Sequence, residues 1–248
     1  MRSADTWLVA VSLSVLLVCV SSCGEDEGPG PGVTAAEHNE AGWTSYNNGD
    51  YAGAHSHFSE ALGLDPGLTE ARLGLAWCKA HEGEYCTALD AFDDVMEAGE
   101  SVADAFAGRA ATALAAWQES PAVASAESTL ARDPAYEFVR RDEYNWRDLR
   151  LVLAQAYFAL ARYSDAQVQV NILDPDNGLD PGNSETWVVD GEIHPTYEAA
   201  LAMEIELLWS MEDGGPWIRR WRRCLFLTGC PFLSSPDAPA GAGAALVQ

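Results

Sequence analysis

Lysine is all but missing from this 248-residue chain: Lys79 stands alone beside thirteen arginines. Asp and Glu number 38, which leaves a formal net charge of -24 at neutral pH. A field of that sign repels phosphate backbones and anionic headgroups, so nucleic acid is excluded as a partner and the body of the protein has no electrostatic hold on a membrane. A long apolar run is lacking too. The stretch Trp7–Val20 has fourteen residues and is interrupted by Ser12 and Ser14, whereas a helix crossing a bilayer takes about 20. Gly-x-Ser-x-Gly, His-Glu-x-x-His and a phosphate-cradling glycine loop are all absent, and carboxylates are so many that no pair stands out as an acid–base couple. The expectation is a binding protein, not an enzyme, with no cofactor. What is present is enough to fold: 48% hydrophobic against 21% charged residues describes a globular chain able to bury a core.

The short apolar stretch has the length of a signal-peptide core, preceded by a weakly basic start at Arg2. Directly after it comes Val20-Ser21-Ser22-Cys23, which resembles the lipobox of bacterial lipoproteins. The resemblance implies cleavage before Cys23, acylation of its thiol, and a lipid anchor in the cell envelope. Gly24 rather than Asp after the cysteine implies the outer membrane, with the periplasmic or the surface face left open. Several acyl chains, at about 0.8 kcal/mol per buried methylene, hold without a transmembrane helix. Residues 23–34 then read as a flexible acidic Gly/Pro tether, Gly24-Glu25-Asp26-Glu27-Gly28-Pro29-Gly30-Pro31-Gly32.

Shifting the sequence on itself by 34 residues brings Gly49-Asp50-Tyr51 onto Gly83-Glu84-Tyr85, Trp43 onto Trp77, Ala54 onto Ala88 and Phe58 onto Phe92. Pro66 recurs two periods on as Pro134. This register resembles the tetratricopeptide repeat, in which each unit is a pair of antiparallel helices. The resemblance implies an all-α protein: a right-handed superhelical solenoid of helix pairs with a C-terminal capping helix. Two good copies (35–68 and 69–102) precede a degenerate Ala-rich one (103–136), where Ser120-Pro121 is expected at the turn. After an insertion, Glu137 to Trp146, a fourth copy follows (147–173). Residues 174–194 are expected to be an Asp/Pro/Gly loop. The alternating oxygen ligands of Asp174 to Asp180 fall out of step with a calcium loop, so the segment is read as a turn. Residues 195–212 read as the capping helix and 213–248 as a tail. Its Trp217–Arg223 segment packs four Arg and two Trp into seven residues, fit either to lie on a membrane or to dock on the acidic body.

In such an array the first helices of successive pairs line the concave wall. Trp43, Tyr46, Asn47, Trp77 and His81 are therefore expected there as the surface for another protein or peptide. Asn39 and Leu73 beside the tryptophans supply no basic clamp for a partner's terminal carboxylate. The function expected is a lipid-anchored interaction adaptor. The alternatives are an accessory lipoprotein of an envelope assembly, secretion or pilus machine, and a small-ligand or carbohydrate-binding lipoprotein. Four cysteines remain after Cys19 and Cys23: Cys78 with Cys86 across the Gly83 turn and Cys224 with Cys230 are candidate disulfides, or else the tail joins the second repeat. No Cys-x-x-Cys occurs. His55 and His57, two apart on a helix, do not face one another, so no metal site is expected.

Overall fold

The computed structural model describes residues 33–99, 102–140 and 144–211. Cys23 and its tether, Cys224, Cys230 and the basic Trp-containing tail lie outside these residues. Eight helices run as four antiparallel pairs: α1 (Ala35–Asn47) with α2 (Tyr51–Leu64), α3 (Thr69–Glu82) with α4 (Tyr85–Ala98), α5 (Val102–Ala115) with α6 (Glu119–Arg132), and α7 (Trp146–Ala159) with α8 (Tyr163–Leu173). Each pair packs on the next, and α9 (Tyr197–Met211) packs against α7 and α8.

Local chemistry starts the helices where it should. Thr34 and Glu37 form a reciprocal capping box ahead of α1: the Glu37 amide donates to the Thr34 hydroxyl at 3.2 Å and the Thr34 amide to the Glu37 carboxylate at 2.8 Å. Asn145 and Asp148 do the same for α7. The turns inside the first two pairs use Gly49 and Gly83 at φ 79° and 85°, a left-handed conformation that costs glycine nothing. One period later the position is held by Trp117, at φ 59°. The third turn therefore falls at Ala116–Gln118 and not at Ser120-Pro121. Pro121 sits instead in the first turn of α6, where a missing N–H leaves no helical bond unmade.

The pairs are locked by aromatic wedges. Phe58 is fully buried, and a Cβ placed on Gly42 or Gly74 would come within 2.6 or 2.3 Å of its ring. Phe92 meets Gly108 in the same way, at 2.4 Å. Glycine on the two facing helices is what lets the ring lie flat between them.

Residues 174–196 are more ordered than a plain loop. A short 3-10 turn (Ser184–Thr186) leads to a hairpin of β1 (Val188–Val189) and β2 (Glu192–Ile193). Asp190 and Gly191, at φ 48° and 78°, form the two-residue turn whose twist suits such a hairpin. Helix α9 begins after Pro195, with the Thr196 hydroxyl accepting the Ala199 amide at 3.2 Å. Its buried stripe of Leu201, Ile205 and Leu208 covers the last pair. Among the described residues no helix is long and apolar enough to cross a membrane.

Candidate functional site: a concave face filled by its own chain

The register brings Trp43 and Trp77 to one wall, with Tyr46 and His81 a turn further along: the Tyr46 hydroxyl and His81 Nε2 are 2.8 Å apart, and His81 stacks on Tyr51 at 4.1 Å. Asn47 is exposed at the end of α1. The tryptophans are not open to a partner, however. Trp43 and Trp77 are each 2% exposed and Tyr46 1%. The correction has a physical cause. Bare indoles on the inner wall would leave a large apolar area in water, about 25 cal/mol for every Å², and the insertion between α6 and α7 removes it.

That insertion leaves α6 at Asp133, crosses the inner wall and returns to α7. The Phe138 amide donates to the Tyr144 carbonyl at 2.9 Å and the Trp146 amide to the Tyr136 carbonyl at 2.7 Å, which pins the two arms together. Phe138 lies between the two tryptophans, stacked on Trp77 (5.4 Å, 24°) and edge-on to Trp43 (5.8 Å, 76°). On either side, Tyr136 donates its hydroxyl to Asp104 at 2.8 Å, and Tyr144 donates to the Ala107 carbonyl at 3.0 Å. Arg140 completes the strap. Its guanidinium donates to Glu40 at 2.8 and 3.0 Å and to Glu70, and lies 5.7 Å from the Trp43 ring centre. Val139, between Phe138 and Arg140, points outward and is 85% exposed. The alternation of buried Tyr136, Phe138 and exposed Glu137, Val139 is that of an extended segment lying on a surface.

Burial sets the ionisation here. Desolvation, then the Asp104 carboxylate, pushes the Tyr136 hydroxyl well above its ordinary range, and burial does the same to Tyr144. Desolvation raises Asp104 as well. A tyrosine with a raised folded-state pKa contributes stability that is intact below the unfolded value near 10 and is lost as pH climbs beyond it. We therefore expect the urea midpoint to fall above about pH 10, and to fall less steeply in Tyr144→Phe, where one fewer buried hydroxyl titrates; urea melts across that pH range read both.

The expected Cys78–Cys86 disulfide is not formed: both thiols are free, Cys78 buried in the core and Cys86 exposed on the first turn of α4. Desolvation pushes the Cys78 thiol up to about 12, which makes it inert as a nucleophile at neutral pH. The strap was the missed element. Its signal was the pair Tyr136 and Phe138 two residues apart, followed by Arg140 opposite the acidic first helices.

Stacked antiparallel helix pairs of 34-residue period, with aromatic wedges against glycine, define a helical-repeat scaffold of the kind that presents one face to other proteins. Within that class, residues 46–111 match the tetratricopeptide-repeat family model, and this stretch of the chain is similar to that family. No curated protein matches the chain. Several solved structures are similar to parts of it, two of them as follows. One is PilW, a widely conserved type IV pilus biogenesis factor: 21% identity over 58% of this chain and 63% of that one, with a TM-score of 0.49. The chain thus spans less than two thirds of that protein's length. The other is a tetratricopeptide repeat protein from Parabacteroides merdae ATCC 43184, at 14% identity over 76% of this chain and 67% of that one, with a TM-score of 0.48.

Proposed function

We propose that this protein is a lipid-anchored adaptor of the bacterial envelope, held by Cys23, that binds another protein through the concave face of its repeat array in competition with its own strap. The observation that carries this is the seating of Phe138 between Trp43 and Trp77 with Arg140 on Glu40 and Glu70. A partner segment that takes this place is extended, with an aromatic residue and a basic one two positions later. Its charge suits a body of net charge -24. Catalysis is no part of this proposal, which rests on packing and ion pairing. A carbohydrate or small-ligand site needs an exposed aromatic platform, and Trp43 and Trp77 are covered.

The test avoids alanine at the tryptophans, which are core residues. Arg140→Glu sets a carboxylate against Glu40 and Glu70 and loosens the strap without leaving a cavity. In capture from detergent-solubilised membranes, Arg140→Glu is expected to retain more of the partner than wild type does. Identical partners in identical amounts would contradict the competition. For the anchor, Cys23→Ser is expected to accumulate as unprocessed precursor; normal processing and membrane retention of that variant would contradict it.

A further inference from the structure

The first helix pair carries a cluster that the repeat architecture does not need. His38 on α1 and His57 and Glu60 on α2 each offer a ligand atom, all within 4.8 Å of one another. Glu60 Oε2 lies 2.8 Å from His38 Nδ1 and 3.8 Å from His57 Nδ1. The two imidazole rings are 6.0 Å apart and tilted by 38°. His57 Nδ1 is buried and makes no hydrogen bond. An imidazole nitrogen shut away from water with no partner carries a desolvation cost that a bound cation would remove.

From these contacts we propose that His38, His57 and Glu60 bind a divalent first-row transition metal, zinc foremost. Two imidazole nitrogens and one carboxylate are a recurrent three-ligand set for such ions, with a fourth position left to water or a partner group. Zinc sits about 2.0–2.2 Å from such donors, so a tetrahedral ion sets them roughly 3.3 Å apart, inside the range the three atoms already span. Imidazole in the set disfavours calcium and magnesium, which take oxygen ligands. The spacing explains why helical periodicity finds His57 and Glu60 on one face, three apart, while His55 is not part of the set. Because the donors come from both helices of one pair, the ion clasps α1 to α2 beside the start of the array. The surrounding negative charge draws cations to the surface without itself making a site.

The experiment is calorimetric titration of the full chain with zinc, together with the visible spectrum after cobalt(II) substitution. Wild type and His55→Ala are expected to bind one equivalent, to show the bands of four-coordinate cobalt without a thiolate charge-transfer band, and to melt higher with the metal. His57→Ala and Glu60→Gln are both expected to lose the saturable step while keeping the helical signal of the apoprotein. Glu60→Gln, an isosteric change at an exposed residue, keeps the comparison clear of folding. Binding undiminished in both variants would overturn the assignment. So would a thiolate band placing the metal on Cys86 or another cysteine, or the lack of any saturable binding up to millimolar zinc.

Discussion

Trp77→Ala is expected to cost about 3–5 kcal/mol of stability, the range for deleting a large aromatic from a packed core. The indole touches groups from three directions: Phe92 edge-on at 5.5 Å, Tyr144 edge-on at 5.5 Å and Phe138 stacked at 5.4 Å. Gly108 on α5 closes the fourth side, where an added Cβ would meet the indole at 3.0 Å. Removing the ring opens a cavity on one side of Phe138, which cannot fill it while Trp43 and the Tyr136 and Tyr144 hydrogen bonds hold the strap in place. Set against a typical domain stability of about 5–15 kcal/mol, the loss is a large share of the whole. Trp117, 40% exposed at a turn, serves as the control: Trp117→Ala is expected to change stability by less than about 1 kcal/mol. Urea melts followed by the helical signal compare the two, and equal midpoints would contradict the burial of Trp77. A loss of partner in Trp77→Ala would therefore report unfolding as much as a missing contact.

The second large effect concerns the wedge. Gly74→Ala is expected to destabilise by about 1–3 kcal/mol, although alanine is the better helix former by about 1 kcal/mol. The new methyl group would lie 2.3 Å from the Phe58 ring, whose far side is held by Gly42. Gly63→Ala provides the opposite sign. It lies in α2 with nothing within 4 Å of the added Cβ, so only the propensity gain of about 1 kcal/mol remains and the variant should melt later. Phe58→Leu in the Gly74→Ala background should recover part of the loss. A Gly74→Ala protein as stable as wild type would mean that Phe58 is not wedged between the two helices.

The parts legible in the sequence were those repeated in it. Gly49 and Gly83, Phe58 and Phe92, and Trp43 and Trp77 recur because each helix pair solves the same packing problem, so the same residue type returns every 34 positions. The third pair hid its turn because Trp117 took the left-handed position in place of glycine, while Ser120-Pro121 offered the familiar turn signal just inside α6. The Asp190-Gly191 hairpin was readable in principle from Asp-Gly between Val189 and Ile193, but two-residue strands carry no periodicity. The strap was least legible. Periodicity describes the elements that repeat, and an insertion belongs to no period. Its role follows only from tertiary arithmetic: two tryptophans on an inner wall need a cover, and the chain itself supplies it with Phe138. The burial of Trp43 and Trp77 thus depends on a segment outside the repeat. The proximity of His38 to His57 and Glu60 was illegible for a related reason, since the three side chains meet across a helix pair and not along one helix.

The central claim is that the chain fills its own concave face, and hydroxyl-radical labelling of the native protein tests it most directly. With mass-spectrometric readout at each tryptophan, Trp43 and Trp77 should be protected in wild type while Trp117 is labelled rapidly. In Arg140→Glu, with helical content unchanged, labelling at Trp43 should rise first, because Arg140 lies 5.7 Å from its ring. Trp43 and Trp77 labelled as fast as Trp117 in the wild-type protein would contradict the account.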